Sequence, residues 1–121
     1  MMNRSQRIEY EILDWAINAH SNVGFPTTVA AFTARLRNLF SDVKPEEFIE
    51  ACRRLSRAGD LEFRTKVGPI SLPLDGSPAD LAGSLTGNFF LMRTGSSLAR
   101  FQALGRHVEI PTFKRWRSFG Q

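Results

Sequence analysis

Between residues 50 and 66, in EACRRLSRAGDLEFRTK, the spacing of apolar residues changes from that of a helix to that of a strand. Phe48, Cys52 and Leu55 recur at helical spacing, with Ile49, Ala51 and Ala58 beside them. Downstream, Leu61 and Phe63 alternate with Glu62, Arg64 and Lys66, the pattern of a strand with one buried face. Gly59 stands at the change, where a left-handed residue closes a helix at no steric cost. A second strand candidate, NFFLMR (88–93), lies beyond one long loop, so the two strands should pair antiparallel as a hairpin. A lone hairpin is marginal in water and must pack on helices. The expected class is therefore α+β.

The remaining elements follow from the same periodicities. Ile8, Ile12, Trp15, Ala16 and Ala19 share one face, widened by Leu13 and Ile17, which predicts a helix from Arg4 to His20. SNVGFP (21–26) supplies a stop and a turn. A second helix is expected over 28–40, with Thr27 or Thr28 as N-cap and Val29, Phe32, Leu36, Leu39 and Phe40 as its apolar stripe. Pro45 suits the first turn of a third helix, which runs to Ala58. Residues 67–87 hold three Pro and four Gly without clean periodicity and read as a long loop, with a candidate helical turn at 78–83. TGSSLARFQALG (94–105) reads as a helix with a Thr or Ser cap, and 106–121 as a tail without a period. The organisation is one domain over 1–105 and a basic, aromatic tail over 106–121.

Composition bounds the chemistry. With 121 residues, 42% of them hydrophobic, and ten Phe and two Trp, one aromatic core is expected. Cys52 is the only cysteine, so no internal disulfide forms, and with only His20 and His107 to join it no zinc-ligand set is in view. A cytoplasmic setting fits. MMNRSQRIEYEILDW lacks the apolar run of a signal peptide, and no stretch approaches the roughly 18 apolar residues of a membrane span. Cys52 lies on the apolar line of its helix, Gly95-Ser96-Ser97 reads as a helix cap, and no phosphate loop or paired-carboxylate motif occurs. Neither an enzyme nor a cofactor is expected.

The segments FIEACRRLSRAGDLEF (48–63) and NFFLMRTGSSLARF (88–101) resemble winged-helix domains, a variant of helix-turn-helix found in bacterial regulators of the MarR-like and PadR-like kinds. The first resembles the family's third helix entering the wing; the second resembles the returning wing strand running into a helix at a Thr-Gly step. The resemblance spans roughly residues 5–105. It implies a three-helix core, a two-stranded antiparallel hairpin with a long wing loop, and a C-terminal helix. It also implies a transcription regulator binding duplex DNA through helix 3 and the hairpin, commonly as a homodimer. Carried onto this chain, the nucleic-acid contacts would be Arg53, Arg54 and Arg57 on the helix and Arg64, Lys66 and Arg93 on the hairpin, joined by Lys114, Arg115 and Arg117 of the tail.

Charge placement opens an alternative. Net charge is +4, of which the segment from Gly105 onward holds +3 and the rest only +1. Helix 3 starts with Glu46, Glu47 and Glu50, which would face phosphates, and its arginines follow where any helix dipole favours them. Residues 67–87 contain no Lys or Arg, carry Asp75 and Asp80, and are rich in Val, Ile and Leu. A DNA-contacting wing normally bears cations. This loop suits packing against a protein surface, and FKRWRSFG (113–120) suits nucleic acid, an anionic membrane surface or a protein groove. The alternative is a protein-interaction or oligomerisation module whose contact surface is 67–87 together with the tail.

Overall fold

A computed structural model describes residues 2–18, 26–65, 68–70 and 87–106. The first helix, α1, spans Arg4–Asn18. Its start is fixed reciprocally: the Asn3 amide donates to the Gln6 side chain at 3.0 Å, and the Gln6 amide to that of Asn3 at 2.8 Å. Two otherwise orphaned donors are satisfied by this exchange. A two-residue strand, β1 (Pro26–Thr27), precedes α2 (Val29–Leu36). Of the two candidate caps, Thr28 serves: its hydroxyl accepts from the Ala31 amide at 3.0 Å. The helix stops at Leu36 rather than near Phe40, so the expected stripe loses phase and Leu39 is 42% exposed.

The third helix, α3, spans Pro45–Arg57, with proline at its first position and the Glu47 carboxylate accepting from the Lys44 amide at 3.2 Å. Gly59 has φ +81°, and the next amide, Asp60, reaches back to the Leu55 carbonyl at 2.9 Å. Nothing lies within 4 Å of a Cβ built on Gly59, so only backbone conformation opposes a side chain there. Gly59→Ala is expected to cost about 1–2 kcal/mol in urea denaturation, the penalty of a left-handed residue with a Cβ. A cost near zero would mean that the turn relaxes.

Strand β2 (Leu61–Thr65) pairs with β4 (Phe89–Arg93), as the alternation predicts. Among the described residues, however, the sheet has four strands, the further one being β3 (Gly68–Ile70), in the antiparallel order β1-β4-β2-β3. β3 lies inside the segment read as loop and folds back so that Gly68 faces Thr65. Both additional strands are short edges carrying a proline, Pro26 and Pro69. Proline removes a donor and is confined to such positions, which is why pattern reading passes over them. Helix α4 spans Ser97–Gly105; residues 94–96 form a turn ahead of it. Positions 1, 19–25, 66–67, 71–86 and 107–121 lie outside the described residues, and with them most of the turn expected at 21–26, the helical turn at 78–83 and the tail beyond Arg106.

Among the described residues the architecture is α+β, four helices with an antiparallel sheet. Leu61, Phe63, Phe89 and Leu91 turn inward and are at most 4% exposed. A series of rings runs through the core. Trp15 of α1 meets Phe32 of α2 edge-on at 5.6 Å, and Phe32 stacks on Phe48 of α3 at 4.8 Å. Phe48 lies 6.1 Å from Phe89, which stacks on Phe63 at 4.4 Å. Five of the elements thus meet through aromatic contacts. α4 packs on α1 through buried Leu104 and the Tyr10–Phe101 stack at 4.5 Å.

Candidate nucleic-acid interface

On α3, the structure separates the three candidate arginines. Arg53 is buried, 6% exposed, with its guanidinium 3.5 Å from Glu50. Arg54 is committed to Glu9 of α1, donating from Nε at 2.7 Å. Only Arg57 is exposed, and it is the only exposed residue of the helix; Glu46, Glu47, Glu50, Arg54 and Ser56 are half-buried. Along α3, Arg57 is thus the one fully exposed cation, and the side chains of Glu47 and Glu50 ahead of it are 34% and 38% exposed.

The hairpin candidates divide in the same way. Arg64 is half-exposed and 3.6 Å from Glu62 on its own strand. Arg93 is exposed at the end of β4, its Cα opposite that of Leu61. Among the described residues, neither Arg57 nor Arg93 has an ion-pair partner. Lys66, Lys114, Arg115 and Arg117 lie outside the described residues.

Sequence reasoning missed Glu9. It is 4% exposed on the inner side of α1, and its carboxylate accepts from Arg54 of α3 at 2.7 Å and from Arg100 of α4 at 3.0 Å. One carboxylate thus ties three helices. A signal was available: Glu9 precedes Ile12 and Leu13 by three and four positions, on the apolar stripe itself. Burial of a charge there implies a cationic partner elsewhere in the chain.

The other acids behave similarly. Asp14 and Asp60 are buried, and Glu11 is half-buried against Arg7 at 3.3 Å. The Asp60 carboxylate accepts from Ser96 at 2.6 Å, its carbonyl from Ser97 at 2.6 Å, and the Gly59 carbonyl from Thr94 at 2.7 Å. These hydroxyls clasp the turn after α3 to the step before α4, and give the Thr-Gly step its structural role. Among the described residues, one acid is exposed, Asp42, against seven cations: Arg35, Arg37, Lys44, Arg57, Arg93, Arg100 and Arg106. Even Asp42 is engaged. Its hydrogen bond from Arg4, 2.8 Å long, holds its carboxyl below the usual carboxylate range, and the same arginine grips Glu47 at 2.8 Å.

Cys52 is wholly buried on α3, and burial pushes its thiol pKa far up, opposite to what a nucleophile requires. Among the described residues, no three of His, Cys, Asp or Glu gather as metal ligands, and no helix is long and apolar enough to cross a membrane. His20 and His107 lie outside the described residues. An open groove of about 440 Å³ lies between α1, β1 and α2, floored by Trp15 and Phe32. Arg35 lies 5.2 Å from the Trp15 ring centre and 3.9 Å from Asp14. Comparison with protein families, with characterised proteins and with solved structures finds no match to this chain.

Proposed function

We propose that this chain is a small DNA-binding domain of the winged-helix type that holds duplex DNA by its phosphates rather than reading bases with α3. The observation that carries this reading is the asymmetry of its surface, seven exposed cations against one exposed acid among the described residues. The net charge of the domain conceals this asymmetry, because Glu9, Asp14 and Asp60 are buried and the other described acids apart from Asp42 are half-buried. Phosphate contacts supply most non-specific affinity and require only cations that reach solvent. The element order supports the winged-helix assignment: α1, β1, α2, α3, then β2 and a returning β4 that also pairs with β1. The acidic start of α3 argues against direct readout, since Glu47 and Glu50, 34% and 38% exposed, would meet phosphates before any base edge.

Fluorescence anisotropy with a random-sequence duplex tests the reading. Binding through about four phosphates is expected to weaken roughly a hundredfold between 50 and 200 mM salt, at a logarithmic slope of about −0.9 per contact. Scrambling the duplex should change affinity little. Absence of binding at the lowest salt defeats the proposal.

One observation favours a second reading, a protein-contact module that pairs with its own copy or a larger assembly. Leu39 and Leu98 are large apolar side chains left 42% and 52% exposed. On this reading residues 67–87 and the tail supply further contact surface. A mass measurement by light scattering, concentration-dependent and indifferent to salt, would support it where the anisotropy titration is flat.

A further inference from the structure

We propose that the phosphates dock where α3, β4 and α4 meet, on Arg57 and Arg93 with Arg54 and Arg100 behind them, and not along α3 or at the α2–α3 turn. The inference rests on the DNA-binding reading above and names its site. The four arginines come from three elements, and the hydroxyl clasp gathers them. Thr94 bonds the carbonyl of Gly59, two residues beyond Arg57, and Arg93 is the residue before Thr94. Arg54 lies one helical turn before Arg57 and shares Glu9 with Arg100.

The acids that face this corner are accounted for. Glu9 is held between Arg54 and Arg100, and the Asp60 carboxylate accepts from Ser96. Glu50, on the preceding turn of α3, is paired with Arg53. Counting the four arginines against buried Glu9 and Asp60 leaves two positive charges, and the charged residues of the corner that are fully exposed, Arg57, Arg93 and Arg100, are all cationic. The α2–α3 turn has no such excess. Arg4, Arg37 and Lys44 there are balanced by Asp42, Glu46 and Glu47, and Asp42 and Glu47 are gripped by Arg4.

Ordinary structural needs do not explain the corner. The helix dipole favours Arg54 and Arg57 at the end of α3, but it disfavours Arg100 in the first turn of α4 and says nothing of Arg93 on a strand. Glu9 accounts for Arg100. Arg93 has no partner among the described residues and is exposed at the strand end, and Arg57 is in the same position. Two unengaged guanidiniums beside one clasp suit a phosphate backbone, which arginine can grip with two parallel hydrogen bonds.

The test compares two double variants of the full chain that remove equal charge, Arg57→Gln with Arg93→Gln and Arg37→Gln with Lys44→Gln. Each is measured by anisotropy on the same random duplex across the salt range. All four residues are exposed, and an unchanged melting temperature checks the fold. The corner variant is expected to lower affinity at least tenfold at low salt and to reduce the salt slope by about two. The turn variant should move the slope by less than one. If the turn variant has the equal or larger effect, or the corner variant leaves the slope unchanged, the site is wrong while DNA binding stands. If the unaltered chain does not bind at all, it is the DNA reading that fails.

Discussion

Phe48→Ala is expected to lower the stability of the domain by about 3–5 kcal/mol, seen as a melting temperature lower by roughly 10–25 °C. Phe48 is 0% exposed and sits in the middle of the aromatic series, stacked on Phe32 on one side and facing Phe89 on the other. Truncation removes the apolar area and leaves a cavity whose walls belong to α2, α3 and β4. Those walls cannot collapse without parting the helices from the sheet. A typical domain has only about 5–15 kcal/mol in all, so the variant should be partly unfolded near physiological temperature. Leu39→Ala, on an exposed leucine, should by contrast change stability by less than about 0.5 kcal/mol. Circular dichroism melts of both variants check the pair. A Phe48 variant as stable as the Leu39 variant would place the core elsewhere.

The second large effect concerns Glu9. Replacing both of its partners, Arg54→Gln with Arg100→Gln, is expected to cost about 3–5 kcal/mol at neutral pH, because a buried carboxylate loses both charged donors. Glu9→Gln should cost less, about 1–2 kcal/mol. The asymmetry follows from exposure. The arginine side chains are 36% and 44% exposed and can turn to water, whereas the Glu9 side chain is 5% exposed and cannot. Urea denaturation of the two variants measures the difference. Equal costs would mean that the carboxylate reaches solvent more easily than its position allows. Because the pair links α1, α3 and α4, hydrogen exchange in α4 should also accelerate in the double variant.

Local rules read well wherever one residue settles one element. Gly59 closing α3, Pro45 opening it, Thr28 capping α2, and the inward alternation of Leu61 and Phe63 were all legible from positions within a turn of each other. What escaped was decided at a distance. Glu9 is buried because Arg54 and Arg100 reach it from 45 and 91 residues away, a fact no local window contains. Arg53 falls on the polar side of a helical wheel, yet it is 6% exposed once the chain is folded. The early end of α2 moved Leu39 from core to surface. Of the candidate contacts, Arg57 and Arg93 keep the exposure their positions suggested, Arg64 is half-exposed beside Glu62, and Arg54 is diverted inward.

The two short outer strands of the sheet have a bearing on how the molecule meets others of its kind. An open sheet margin is a template on which any extended chain can build by main-chain bonding, and proteins guard against that with brevity and with residues that cannot donate. β1 has two residues and β3 has three, and each includes a proline. A passing strand finds an incomplete ladder at either margin. Growth of the sheet into a fibre, or capture of a peptide as a fifth strand, is therefore discouraged by the backbone itself.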